Sequence, residues 1–106
     1  MGLLDGKVAI ITGGGKGIGF GIASAFAEQG ASLFITGRTE GRLAEAAEKL
    51  KGEYGADVAY AVAEGSDEAQ VEAAVAKCVE HFGKLDVMVN NAQASKSGTN
   101  LIDHTK

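Results

Sequence analysis

Four short apolar runs alternate with three longer amphipathic stretches, and that alternation restricts the fold more than any other feature of the chain. Residues 7–12 (K-V-A-I-I-T) read as a buried strand and residues 18–30 as a helix that ends at Gly30. Residues 32–36 (S-L-F-I-T) form a second strand. Residues 40–53 form a second helix, with Leu43, Ala46, Ala47 and Leu50 at i, i+3, i+4 and i+7. A third strand over 58–63 leads to a third helix over 67–82, whose apolar stripe is Val71, Val75, Cys78, Val79 and Phe82. Ser66 or Asp67 can cap that helix. Residues 85–90 (L-D-V-M-V-N) complete a fourth strand, and from Asn91 onward the chain reads as a polar loop, with a helix starting near His104. Strands joined through helices pair in parallel by right-handed crossovers. The expected product is a three-layer α/β unit with strand order 3-2-1-4, the first two helices on one face and the third on the other. Gly30, Gly37, Gly55 and Gly83 punctuate the element ends.

Composition narrows the partners. The 106 residues suit one domain, and 45% hydrophobic with 23% charged residues is an ordinary globular balance. A net charge of −4 argues against a general nucleic-acid surface but leaves room for one local basic pocket. With Cys78 as the single cysteine, no intramolecular disulfide forms, which agrees with a reducing cytoplasm. No apolar run approaches the ~20 residues of a membrane span, and the N-terminus lacks an apolar core of signal-peptide length. Met1-Gly2 does not open a myristoylation pattern, because Gly6 stands where Ser or Thr is needed.

Between the first strand and the first helix lies T-G-G-G-K-G-I-G, residues 12–19, five of whose eight residues are glycine. Such a composition costs chain entropy and adds no side-chain packing. The P-loop pattern fails: Gly15-Lys16 is followed by Gly17, not by Ser or Thr, and Ile10 holds the place of the first glycine. The G-x-G-x-x-G fingerprint fails in every register across 13–21. What remains is T-G-x-x-x-G-I-G between a strand and a helix. A helix starting near Ile18 points unpaired amides and its positive dipole end at an anion. Missing Cβ atoms at Gly13, Gly17 and Gly19 let a pyrophosphate approach and let the helix pack on its strand. The alternative is a flexible turn that is merely rich in glycine; the flanking strand and helix favour a dinucleotide site.

Residues 12–19 resemble the cofactor motif of the short-chain dehydrogenase/reductase family. Asn90-Asn91-Ala92-Gln93 after the fourth strand resembles that family's Asn-Asn-Ala-Gly motif, and Glu64-Gly65-Ser66-Asp67 resembles its adenine-side Asp-Val-x-Asp segment. The resemblance runs through essentially the whole chain, in order. It implies a single partial Rossmann-like NAD(P)-binding domain over 1–106, with 91–106 as loop and start of the next helix. It also implies a cofactor site at Gly13, Gly15, Lys16, Gly17, Ile18, Gly19, Arg38, Thr39, Glu64, Gly65, Asn90 and Ala92. Metal ligands are not expected: His104 lacks a partner at metal-ligand spacing.

Cofactor choice turns on the end of the second strand. In dinucleotide folds an acidic residue about 20 positions past the glycines binds the ribose 2′-hydroxyl and selects NAD. Here the chain has Gly37-Arg38-Thr39, with Glu40 as the nearest acidic competitor. A guanidinium suits phosphate oxygens, and Lys16 can reach the same group from the glycine loop. Members of the resembled family with basic residues at both positions prefer NADP, so NADP(H) is expected over NAD(H). Read without the resemblance, both residues are solvated surface charges.

The chain departs from the family pattern in several places. Gln93 replaces a glycine, Glu64 replaces an aspartate, and the catalytic groups are missing. The family uses a serine, a Tyr-x-x-x-Lys pair and an asparagine on later elements. Tyr54 is followed four residues on by Val58 and Tyr60 by Glu64, so neither makes the pair. Ser95 and Ser97 have no accompanying base. His81 near a helix end, Cys78 on the apolar stripe, and Glu45 with Glu48 on one helix face have ordinary structural readings. No catalytic residue is assigned, and the chain is expected to be inactive alone. The expected fourth strand has an open edge, a template for self-association. The leading expectation is the NADP(H)-binding half of an oxidoreductase. A non-catalytic nucleotide-binding or interaction module that uses its sheet edge is the alternative, and a truncated product that binds nothing well is the third.

Overall fold

The computed structural model describes residues 2–13, 17–64 and 67–91. Seven elements follow in the order β1 (Val8–Thr12), α1 (Gly17–Glu28), β2 (Ser32–Gly37), α2 (Glu40–Tyr54), β3 (Val58–Val62), α3 (Glu68–Phe82) and β4 (Val87–Asn90). The four strands form one sheet in the order β3-β2-β1-β4. Every pairing is parallel: Ile10 lies between Phe34 of β2 and Met88 of β4, and Ile35 of β2 pairs with Tyr60 of β3. The expected strand order therefore holds.

Alternation of side chains along each strand divides the core into two layers. On one face Ala9, Ile11, Leu33 and Ile35 meet Ala23 and Ala27 of α1 and Leu43, Ala46, Ala47 and Leu50 of α2. On the other, Val8, Ile10 and Phe34 meet Ala74 and Cys78 of α3. The first two helices thus share a face and the third takes the opposite one. β1 is buried along its whole length, as a strand covered on both faces and paired on both sides must be.

The boundaries shift where local hydrogen bonding overrides the apolar pattern. α1 stops at Glu28 because Gly30 N–H turns back to the Ala27 carbonyl at 3.0 Å and Gln29 O accepts the Leu4 N–H at 2.8 Å. Asp67 is the N-cap of α3, not its first residue: its Oδ1 accepts the Ala69 and Gln70 amides at 3.0 and 3.2 Å. β4 starts at Val87, two residues after the expected Leu85. Just before it, the Asp86 carboxylate accepts the Val8 N–H at 2.8 Å, a bond that a strand carbonyl would otherwise take. Asp86 N–H returns one to the Val8 carbonyl at 2.9 Å. Val79 is 41% exposed and does not belong to the buried stripe of α3. It follows Cys78, roughly 100° further round the helix, and Ala74 fills the stripe in its place. The expected loop and helix start at 92–106 lie outside the described residues. Among the described residues no helix is long and apolar enough to cross a membrane.

Leu50 is fully buried in the larger layer, so Leu50→Ala is expected to lower unfolding free energy by about 2–5 kcal/mol in urea titration. A loss under about 1 kcal/mol would show that this layer collapses around the cavity.

Asp86 supplies a pH signature. The Val8 amide and then the Lys84 ammonium, 3.1 Å away, hold its carboxyl below the usual aspartate range. A native pKa below the unfolded value near ~4 stabilises the fold above that pH, and the contribution is lost as pH falls through the native value. Urea midpoints measured from pH 6 down to ~2.5 should therefore fall more steeply for the native chain than for Asp86→Asn, which keeps an acceptor for Val8 but cannot ionise. Parallel curves would contradict this role.

Candidate dinucleotide site

All four strands run in one direction, so their C-terminal ends form one rim, and β1 sits there between β2 and β4. α1 leaves the sheet after β1 on the α2 face, while the connection into β4 comes from α3 on the other. The reversal falls between β1 and β4, and in open α/β sheets ligands bind outside the carboxyl ends of the strands at such a point.

Glycines stand at both described ends of the connection from β1 into α1. Gly13 and Gly17 have φ of +70° and +60°, a region that non-glycine residues seldom occupy. Gly19 is buried on the inner side of the helix start. A Cβ there would run into the Gly13 carbonyl and lie 3.0 Å from Asn91 Nδ2. The absence of that one carbon lets the first turn of α1 rest on the end of β1. That turn carries no acidic side chain, so nothing of like charge opposes an anion at the positive end of the helix. Ile18, 76% exposed, stands at the lip.

A polar row lies beneath this turn on the α3 side of the sheet. Thr36, Thr12 and Asn90 are in register across β2, β1 and β4. Thr12 Oγ1 is 3.0 Å from Asn90 Oδ1 and 3.4 Å from the Val89 carbonyl, so its single hydroxyl proton ties β1 to β4. The next residue, Asn91, carries its amide to Gly19. Thr36 Oγ1 is buried without a hydrogen-bond partner among the described residues. The first group of expected site residues, Gly13, Gly17, Ile18, Gly19 and Asn90, is thereby assembled at one place.

A second group forms at the ends of β2 and β3. Arg38 follows β2 with a side chain 79% exposed, and its Nε lies 3.5 Å from Glu64 Oε1. Thr39 occupies the N-cap of α2 with extended backbone and makes no side-chain cap bond; its carbonyl accepts the Leu43 N–H at 3.2 Å. Glu64 N–H donates to Gln70 Oε1 at 2.7 Å, and Gln70 Nε2 donates to Asp67 Oδ2 at 3.1 Å. The carboxylate that meets Arg38 is therefore Glu64, brought over from the neighbouring strand, and not the sequence-adjacent Glu40. Gly15, Lys16, Gly65 and Ala92 lie outside the described residues, as do Gln93, Ser95, Ser97 and His104.

The remaining candidates are placed away from the carboxyl ends of β1 and β4. Tyr54 ends α2, and Tyr60 packs against the larger core layer from β3, two strands from β1. His81 sets its ring edge-on to Phe82 with centroids 4.5 Å apart. Cys78 is buried, and burial pushes its thiol pKa up, which disfavours the reactive thiolate. Among the described residues, no three His, Cys, Asp or Glu side chains cluster as metal ligands would. Two contributors, Thr12 and Asn91, were not among the expected site residues. The signal for Thr12 was a hydroxyl closing an otherwise apolar strand.

Comparison with known proteins agrees with this geometry. A family model described as short chain dehydrogenase matches residues 7–105. A 12alpha-hydroxysteroid dehydrogenase from Clostridium sp. is 51% identical over 112 aligned positions, covering 100% of this chain and 43% of the relative. The L-sorbose reductase of Gluconobacter frateurii, solved with NADPH and L-sorbose, superposes with a TM-score of 0.77 at 39% identity, over 83% of this chain and 33% of that one. A short chain dehydrogenase/reductase from Burkholderia phymatum, solved with NAD, gives 0.75 at 38% identity, over 83% of this chain and 31% of its own. The chain thus spans less than half the length of these relatives.

Two glycines in α1 should respond to alanine with opposite signs. Gly19→Ala drives a Cβ into the Gly13 carbonyl and is expected to cost about 1–3 kcal/mol. Gly21→Ala meets nothing within 4 Å and should add up to ~1 kcal/mol through better helix propensity. Urea titration of both variants checks this, and equal effects would mean that the contact beneath Gly19 is not tight.

Proposed function

This chain belongs to the short-chain dehydrogenase family, and on that premise we propose that it forms the NADP(H)-binding half of an oxidoreductase. The complete protein would move hydride between nicotinamide and a carbonyl or alcohol carbon. The observation that carries the reading is the close seating of Gly19 on the Gly13 carbonyl, which sets the N-terminus of α1 at the carboxyl end of β1. A pyrophosphate suits a helix N-terminus, which offers amide donors, and Gly17 and Gly19 put no Cβ in its way there.

In this reading Gly13, Gly15, Gly17, Ile18 and Gly19 hold the pyrophosphate. Lys16 and Arg38 take the 2′-phosphate, with Thr39 beside them at the start of α2. Glu64 and Gly65 meet the adenine, the first through its carboxylate and the second through its backbone amide. Asn90 and Ala92 border the nicotinamide ribose. When bound, the cofactor supplies the hydride carrier. The residues of this chain bind and orient it, and the groups that move protons belong to the remainder of a longer protein. NADPH and NAD both occur among the solved relatives. The preference for NADP(H) rests on the Arg38 guanidinium, which stands open to solvent at the end of β2.

Titration of the chain with NADPH and NADH, followed by nicotinamide fluorescence, tests the assignment. Arg38→Asp is expected to weaken NADPH about ten-fold or more, as loss of a charge-assisted hydrogen bond implies. NADH should change by less than about two-fold. Equal losses for both cofactors would remove the 2′-phosphate role from Arg38.

A further inference from the structure

We propose that Glu64 is a specificity-determining residue that lowers the preference for a 2′-phosphorylated cofactor by competing for Arg38, an inference that rests on the 2′-phosphate role given to Arg38 above. The two side chains meet across neighbouring strand ends, Nε to Oε1 at 3.5 Å. Their backbones are held in place independently of that contact. Gly37 of β2 pairs with Val62 of β3, and the Ala63 N–H donates to the Gly37 carbonyl at 2.8 Å. On the other side, the Glu64 N–H donates to Gln70, which is hydrogen-bonded to the Asp67 cap of α3. The base of the Glu64 side chain is therefore fixed between a strand end and a helix cap, and its carboxylate stays within reach of the guanidinium.

The geometry makes the competition selective. Glu64 engages Arg38 through Nε, and a guanidinium presents further donors on its terminal nitrogens that suit phosphate oxygens. A 2′-phosphate dianion bound there shares one guanidinium with a carboxylate, and the two anions repel. A ribose with a free 2′-hydroxyl brings no charge and does not meet this penalty. Arg38 is largely exposed and Glu64 partly so, so screening keeps the effect small, about two- to five-fold in affinity. Glutamine is the informative replacement, since it keeps the length and one oxygen acceptor for an adenine amino group and removes only the charge.

The test uses calorimetric titration of the native chain and of Glu64→Gln with adenosine 2′,5′-bisphosphate and with 5′-AMP, which differ by the 2′-phosphate alone. At low ionic strength Glu64→Gln should raise the ratio of bisphosphate to 5′-AMP affinity about two- to five-fold, a ratio in which any change at the adenine contact common to both nucleotides cancels. The gain should shrink in ~0.5 M salt. An unchanged or lowered ratio of bisphosphate to 5′-AMP affinity overturns the competition while leaving the cofactor reading in place. No binding of either nucleotide by either chain overturns both.

Discussion

One missing carbon atom governs the layout of this molecule. Were Gly19 to carry a Cβ, α1 would have to lift away from the Gly13 carbonyl and from Asn91. The helix would then tilt off the sheet, and Ala23 and Ala27, one and two turns further along, would lose their seats against the larger core layer. Their small size is matched to that close approach, because a helix that starts in contact with a strand end has little depth beneath it for larger side chains. Gly19 on the Gly13 carbonyl and the alanine-lined helix are thus parts of one packing solution. Backbone amides reach the carboxyl end of the sheet because the helix behind them is held close.

Much of this was legible in the residues, for physical reasons that differ by element. β1 and β2 are apolar runs flanked by turn-forming residues, and burial on both faces leaves no ambiguity between strand and surface. α2 shows its buried side through Leu43, Ala46, Ala47 and Leu50, all of which are in the core. The motif T-G-x-x-x-G-I-G marked the β1–α1 turn by glycine spacing, and Gly13, Gly17 and Gly19 sit where such a turn requires them. Element ends were harder to read. The early end of β4's pairing is decided by the Asp86 carboxylate standing in for a carbonyl, and the start of α3 by the Asp67 cap. Neither substitution of side chain for backbone leaves a periodic trace. The Arg38–Glu64 pair was invisible for another reason: its partners are far apart in sequence and meet only through the parallel register of β2 and β3.

The two layers of the core differ in composition as well as in size. The buried layer against α1 and α2 is made of Ala9 and branched side chains from the sheet and of alanines and leucines from the helices. The layer against α3 is smaller and uses Phe34 and Cys78 to fill its depth. With its thiol held neutral by burial, Cys78 behaves there as a small apolar group. β4 contributes unequally to the two sides: Val87 and Val89 pack on the larger layer, while Met88 is 37% exposed on the other.

β4 is also the strand most at risk of sliding, since among the described residues it is paired on one side only. It is fastened at both ends to the same neighbour. Below, Asp86 exchanges two hydrogen bonds with Val8; above, Asn90 meets the Thr12 hydroxyl. A slip of one residue would break both fastenings together and turn Val87 and Val89 out of the core. β4 is thus clamped like a rule between two stops, and the height at which it presents Asn91 to the start of α1 is set by β1 alone.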